Sequence, residues 1–184
     1  RMFTIGINDD VTNLSLTNSR VLDLTPADTF QAKFWGFGSD GTVGANKAAI
    51  KIIGDHTDKY VQAAFEYDSK KSGGLTISHL RFGDSPITSE YMTATLDFVA
   101  CHNMTYVRKY NLTKGLKAGG LFLLNTSWNL EQLSKNLPNE MKKFIAENQI
   151  RFYTIDAMKI AHETGMERRI NTIMQVAFFK LAHV

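Results

Sequence analysis

The chain has 184 residues, of which 43% are hydrophobic and 21% are charged, a composition typical of a globular protein with one domain. The net charge of +3 is too small to indicate nucleic-acid binding, and no apolar run approaches the ~20 residues of a membrane span. A single cysteine, Cys101, excludes an internal disulfide and a cysteine-ligated zinc or iron–sulfur site, so the cytoplasm is the expected location.

The pattern of apolar residues predicts an arm followed by one α/β domain. Residues 1–27 are polar apart from a short β-prone run and indicate an extended arm. We expect residues 28–184 to form the domain, and we expect the chain to be a piece of a longer one. The predicted strands are 31–36, 58–67, 75–82, 96–100, 121–124 and 151–155. The predicted helices are 42–54, one from Met104, one after Trp128, 139–148, 157–164 and a final one that begins at Arg168 or Arg169.

The spacing of these elements predicts the type of sheet. Strands that alternate with helices are typical of a parallel sheet covered on both faces. Residues 68–74, here termed the lysine turn, are too few for a helical crossover, so the strands on either side of it should be antiparallel. The sequence therefore predicts a three-layer α/β/α domain with a mixed, mainly parallel sheet.

The most informative stretch is FWGFGSDGTVGANK at residues 34–47, which contains the pattern G-x-G-x-x-G between a predicted strand and a predicted helix. Residues 38–42 are here termed the glycine loop. Glycines permit a tight turn and a close approach to the backbone, and the N-terminus of the following helix favours an anion. The same glycines also occur where a strand simply turns onto its helix, so phosphate binding and strand–helix packing both remain open.

The lysine turn adds a second candidate group. Lys70 and Lys71 lie next to a glycine pair, and a ligand with an extra ribose phosphate, such as NADP or coenzyme A, suits their charge better than NAD. Glu66 or Asp68 could hold ribose hydroxyls. A solvated hairpin turn is the alternative for the two lysines.

Ligands of open α/β sheets bind beyond the carboxyl ends of the strands. The segments expected there are 38–46, 68–74, 101–103, 125–127 and Asp156. Cys101 and His102 are neighbours on a strand and point to opposite faces, so they do not form a catalytic pair, and Cys101 is expected to be a buried residue at a strand end. The remaining histidines show no metal-ligand spacing, and no catalytic residue or metal site is predicted.

Several long motifs carry a resemblance to a known family. The stretch at 34–47 closely resembles the γ domain of pyruvate:ferredoxin (flavodoxin) oxidoreductase, and the match continues in order over nearly the whole chain. The further matching segments are FTIGINDDVT at 3–12, IKIIGD at 50–55, YDSKKSGG at 67–74, TISHLRFG at 76–83, DFVACHN at 97–103 and RIN at 169–171.

The resemblance implies a function for the parent enzyme. Members oxidatively decarboxylate pyruvate to acetyl-CoA, with thiamine diphosphate, magnesium and iron–sulfur clusters in other domains and ferredoxin or flavodoxin as the electron acceptor. The parent is expected to be a homodimer in the cytoplasm, with no nucleic-acid or membrane partner, and the isolated domain is expected to be inactive.

The resemblance also implies that this domain helps to bind coenzyme A, in agreement with the glycine loop and the lysines. A purely structural domain that only contacts the other domains is the alternative. The predicted ligand-binding residues are Gly38, Ser39, Asp40, Gly41, Thr42, Asn46, Lys70 and Lys71.

Overall fold

A computed structural model describes residues 2–7, 9–17, 25–68 and 73–184. Within these ranges the chain forms a small two-stranded sheet, a six-stranded sheet and five α-helices. The elements are β1 (Thr4–Ile5), β2 (Ser15–Leu16), β3 (Phe30–Phe37), α1 (Thr42–His56), β4 (Tyr60–Tyr67), β5 (Leu75–Gly83), β6 (Leu96–Cys101), β7 (Leu116–Asn125), α2 (Leu130–Asn136), α3 (Asn139–Glu147), β8 (Arg151–Ile155), α4 (Ala157–Glu163) and α5 (Ile170–Ala182).

The six-stranded sheet has the order β4-β5-β3-β6-β7-β8. The pairs β3–β6, β6–β7 and β7–β8 are parallel, whereas β5 is antiparallel to both of its neighbours. The predicted antiparallel pairing across the lysine turn is confirmed, with Ala64 opposite His79. The sheet is therefore mixed and mainly parallel, as the sequence predicted.

Two buried apolar clusters lie on opposite faces of this sheet. Along β7, Leu121 and Leu123 belong to one cluster, whereas Phe122 and Leu124 belong to the other. Residues of α1, α4 and α5 cover the first face, and residues of α2 and α3 cover the second. This alternation confirms the three-layer arrangement.

Phe178 anchors α5 to the first face. Its ring lies 5.0 Å from that of Phe34 and 5.1 Å from that of Phe98, and the side chain is almost fully buried. Burial of such a ring contributes roughly 1.5–3 kcal/mol to stability. The longest helix in the described ranges is α1, with 15 residues, and no described helix is long and apolar enough to cross a membrane.

Two elements differ from the predictions. The helix expected from Met104 is a five-residue 3-10 helix, Met104–Arg108, because its β-branched and aromatic residues favour helices weakly and both Tyr106 and Val107 point into the core. Asn103 caps this short helix, since its side chain accepts a hydrogen bond from the Thr105 N–H at 3.0 Å.

Strand β7 begins at Leu116 and not at residue 121 as expected. The pair Gly119-Gly120 lies inside β7, at a shift of register against β6: Leu96 pairs with Leu116, whereas Phe98 pairs with Leu121. Glycine inside a strand often marks such an irregularity.

In its described residues, the N-terminal arm contains the strands β1 and β2, which pair in parallel. Its apolar side chains are largely exposed; Met2 and Val11 are 83% and 93% exposed. Residues 18–24 lie outside the described ranges, so the boundary between arm and domain near residue 28 stays a prediction.

Candidate functional site

The carboxyl ends of β3, β6, β7 and β8 lie at one edge of the sheet because these strands are parallel. Two cavities open there, one on each side of the glycine loop. The loop cleft, of about 470 Å³, is lined by Phe37, Gly38, Ser39, Asp40, Gly41, Val43, Gly44, Tyr67, Asp68, Gly74, Leu75 and Thr76. The switch-point cavity, of about 570 Å³, is lined by Phe37, Asp40, His102, Asn103, Met104, Asn125, Thr126, Ser127, Asp156, Met158, Lys159, His162 and Ile170.

The second cavity takes its name from the chain topology. After β3 the chain passes through α1 to β4 on one side, whereas after β6 it proceeds to β7 on the other side. Such reversal points are the usual ligand sites of open α/β sheets. All five segments that the sequence placed at this edge contribute residues to one cavity or both.

The glycines of the G-x-G-x-x-G pattern have separate structural roles. A Cβ at Gly36 would lie 2.6 Å from the Cβ of Thr42, so glycine permits β3 and α1 to approach each other. Gly41 has a φ of 84°, which glycine adopts without strain. Gly38 donates its N–H to the carbonyl of Gly74 at 2.7 Å and so holds the end of the lysine turn against the glycine loop.

Asp40 organises the loop from within. Its carboxylate accepts hydrogen bonds from the Phe37 N–H at 2.8 Å and from the Thr42 N–H at 2.7 Å. A negative charge at the start of a helix is stabilised by the helix dipole. The first donor of α1 is therefore already satisfied by a carboxylate that belongs to the protein.

The donors that remain belong to residues that line the loop cleft. Val43 and Gly44, in the first turn of α1, have no intrahelical acceptor for their N–H groups, and no described residue accepts from them. Both residues line the cleft, and no atom lies within 4 Å of the position that a Cβ would occupy at Gly44. The backbone at Gly44 is thus open to a ligand.

The predicted site residues divide into three groups. Gly38, Ser39, Asp40 and Gly41 line the loop cleft. Thr42 and Asn46 are buried behind it, and the Asn46 Nδ2 has no hydrogen-bond partner in the described ranges. Lys70 and Lys71 lie outside the described residues.

The two candidate acidic residues at the end of β4 differ in their surroundings. Glu66 is engaged on the sheet face, where its Oε1 lies 2.5 Å from the Nε2 of His79. Asp68 lines the loop cleft, as a residue that holds ribose hydroxyls must. Of the two alternatives, the geometry favours Asp68.

The sequence did not identify His102 as a site residue. It is 5% exposed, and its Nδ1 lies 2.9 Å from the Thr42 Oγ1. Burial lowers the pKa of His102 to about 4 against the opposing effect of the Asp40 charge, so the ring is neutral at pH 7. Its position directly after a buried strand at the reversal point is the one sequence signal that would have found it.

Cys101, the neighbour of His102, is fully buried, as predicted. Burial raises the pKa of its thiol to about 12, so the reactive thiolate is absent near neutral pH. The described residues contain no group of three potential ligands that could hold a metal ion, and one cysteine cannot ligate an iron–sulfur cluster.

Comparison with known proteins identifies the family of this chain. Residues 31–184 match the family described as Pyruvate ferredoxin/flavodoxin oxidoreductase. The chain is 59% identical over 182 residues to the pyruvate:ferredoxin oxidoreductase of Moorella thermoacetica, a match that covers 99% of this chain and 16% of that protein. The chain thus spans about a sixth of the length of this relative.

Solved structures share the fold. The pyruvate oxidoreductase subunit PORC of Thermotoga maritima superposes with a TM-score of 0.62 at 22% identity, over 84% of this chain and 76% of that subunit. The 2-oxoglutarate:ferredoxin oxidoreductase of Magnetococcus marinus, with 2-oxoglutarate, coenzyme A and succinyl-CoA bound, superposes with a TM-score of 0.62 at 14% identity, over 85% of this chain and 25% of that one. The resemblance that the sequence motifs suggested is confirmed, and the chain belongs to the pyruvate ferredoxin/flavodoxin oxidoreductase family.

Proposed function

We propose that this chain is the γ-type domain of an enzyme that oxidatively decarboxylates pyruvate to acetyl-CoA and passes the electrons to ferredoxin or flavodoxin. Family membership over residues 31–184 supports this assignment, as does the small share of the Moorella enzyme that the chain spans. Thiamine diphosphate, magnesium and the iron–sulfur clusters belong to other domains of the parent enzyme in this proposal. The chain alone is then inactive.

Within that enzyme, the domain binds coenzyme A at the loop cleft. The observation that carries this proposal is the pair of open N–H donors at Val43 and Gly44, at the N-terminus of a 15-residue helix. The glycine loop shapes the cleft, and Asp68 lies on its opposite wall. Lys70 and Lys71 follow Asp68 in the sequence after one residue, Ser69, and supply positive charge for the 3′-phosphate.

Asp40 restricts where a phosphate binds. Its carboxylate holds the Phe37 and Thr42 N–H groups, and its negative charge repels an anion that comes close. The phosphates therefore contact the first turn of α1 beyond Thr42 and not the middle of the glycine loop. Gly38, Ser39, Gly41, Thr42 and Asn46 support this cleft through the backbone and from behind.

The alternative is a structural domain without a ligand of its own. It is favoured by Gly36 and Gly41, whose roles in strand–helix packing and in a left-handed turn are complete without any ligand. Gly44 distinguishes the two functions, because no atom of the protein lies within 4 Å of the position that a Cβ would occupy there. Packing within the domain therefore does not require glycine at this position.

The test is the substitution Gly44→Ala in the full-length parent enzyme, with coenzyme A affinity measured by calorimetry. If a phosphate approaches the backbone at Gly44, the added methyl group weakens binding at least tenfold while the free energy of unfolding stays the same or rises. Unchanged affinity would favour the structural alternative. The change Gly54→Ala is the matched control, since Gly54 lies far along the same helix beside Val61.

The lysines are tested separately by Lys70→Ala with Lys71→Ala. The double variant should weaken binding of coenzyme A more than binding of its 3′-dephospho form, because the lost charges face the 3′-phosphate. Equal losses for both ligands, or no loss, would assign the lysines to a solvated turn.

A further inference from the structure

The switch-point cavity contains one buried polar atom without a partner. His102 is buried at the end of β6, with its Nδ1 beside the Thr42 Oγ1, and its Nε2 has no hydrogen-bond partner among the described residues. Because the Nε2 is also shielded from solvent, bulk water does not satisfy it. A buried nitrogen of this kind costs about 1–3 kcal/mol unless another group binds it.

Three polar side chains that line this cavity beside His102 are already engaged. Asn125 donates from its Nδ2 to the His102 carbonyl at 3.0 Å and accepts at its Oδ1 from the Ala157 N–H at 3.0 Å. Thr126 accepts from the Trp128 N–H at 3.1 Å, and Asp156 accepts from the Lys159 N–H at 3.0 Å. His102 therefore differs from these three residues in having a buried ring nitrogen left over.

The charges around the cavity do not favour a phosphate. Asp40 and Asp156 line it, and Lys159 lies 3.9 Å from the carboxylate of Glu163 on the same helix. The remaining wall includes Phe37, Met104, Met158 and Ile170, which are apolar. Such a wall suits an uncharged chain.

The cavity is also elongated, and longer than one aromatic ring. It crosses the ends of the neighbouring strands β3, β6, β7 and β8, a distance of about 14 Å at ~4.8 Å between strands. Phe37 and Asp40 line both this cavity and the loop cleft, so one ligand can extend from the first into the second.

We propose that the switch-point cavity binds an uncharged chain that carries amide groups, and that the cavity wall opens on binding so that the His102 Nε2, buried in the free domain, forms a hydrogen bond with one of those amides. Given the coenzyme A site proposed above, on which this inference rests, the chain is the pantetheine arm. An amide suits His102 in either tautomer, since its carbonyl accepts from an Nε2–H and its N–H donates to a bare Nε2. The phosphates then remain on the loop-cleft side of Asp40.

The experiment uses the full-length parent enzyme and two ligands, coenzyme A and adenosine 3′,5′-bisphosphate, which lacks the pantetheine arm. His102→Leu should weaken coenzyme A binding between about 2-fold and 10-fold, the range for one neutral hydrogen bond. Because this variant also removes the Thr42 contact at the start of α1, bisphosphate binding serves as the reference, and coenzyme A binding should weaken more than bisphosphate binding. Equal losses for both ligands would assign the effect to the glycine loop and contradict the proposal. Equal affinity of the variant and the wild type for coenzyme A would overturn the proposal.

Met158→Trp provides a second test that does not depend on the Thr42–His102 contact. Met158 is 42% exposed, so a larger side chain is tolerated by the fold and fills the cavity. Coenzyme A binding should weaken and bisphosphate binding should persist; equal losses for both ligands would contradict the proposal. Gly44→Ala has a different signature, since it should weaken binding of both coenzyme A and the bisphosphate. The two variants therefore distinguish failure of the loop-cleft site from failure of the switch-point cavity.

Discussion

The Thr42 Oγ1 and the His102 Nδ1 lie 2.9 Å apart, and this buried contact joins the first residue of α1 to the end of β6. The two residues are 60 positions apart in the chain. The contact fixes the start of α1, and with it the glycine loop, against the parallel part of the sheet.

We expect Thr42→Val to lower the free energy of unfolding by roughly 1–3 kcal/mol. The substitution keeps the shape of the side chain but leaves a second nitrogen of His102 without a partner in a buried position. Urea unfolding with an unchanged m-value measures the loss. Thr42→Ser retains the hydroxyl and should cost only about 1 kcal/mol, so equal losses for the two variants would contradict a role for the hydrogen bond.

Gly36→Ala, in β3, should be more harmful than Gly44→Ala, in the first turn of α1. Its methyl group would meet Thr42 at 2.6 Å, and overpacking of this kind costs about 1–3 kcal/mol. At Gly44 the same substitution meets no atom within 4 Å and should stabilise the helix by up to about 1 kcal/mol. Thermal unfolding of both variants compares them directly, and a Gly36→Ala chain as stable as the wild type would show that α1 moves freely away from β3.

Stability should decline in mild acid because of His102. Its pKa is 6.5 when exposed and about 4 when buried, so between these values the unfolded chain binds a proton that the folded chain excludes. Stability therefore falls as the pH decreases from 6.5 to 4 and levels off below that range, with a total contribution of roughly 3 kcal/mol. His102→Gln removes this titration, and a variant whose stability falls as steeply as that of the wild type would assign the acid sensitivity to other groups.

Cys101 should report unfolding. The thiol is fully buried and its pKa is raised to about 12, so a disulfide reagent near pH 8 should react with the native chain only through rare opening. In denaturant one thiol per chain should react rapidly, since the sequence contains one cysteine. Fast modification of the folded chain would show that the end of β6 is accessible.

The fold was predictable where it depends on local pattern and loop length. The antiparallel pairing of β4 and β5 follows from the seven residues of the lysine turn, and the glycine loop follows from its motif. The register shift in β7 was not predictable. The pair Gly119-Gly120 indicates the end of a strand unless the pairing with the neighbouring strand is known. The 3-10 helix after Asn103 was missed because Tyr106 and Val107 supply apolar residues without the propensity for a longer helix.

The candidate site was predictable only in outline. Sequence reasoning identified the edge of the sheet at which ligands bind, since parallel strands place their ends together. It did not identify the Asp40 carboxylate as the group that satisfies the Phe37 and Thr42 N–H groups, nor the pairing of Thr42 with His102. Both depend on how distant segments meet in three dimensions, which local periodicity does not encode.

Phe37 and Asp40 form a wall common to the loop cleft and the switch-point cavity. A ligand that lies across this wall binds as a chelate: once one end is held, the other end is confined near its own cavity at a high effective concentration. Each half of such a ligand, offered alone, binds far more weakly than the intact molecule. If one bound half shifts this wall, the two cavities are coupled, and each half changes the affinity for the other by the same factor.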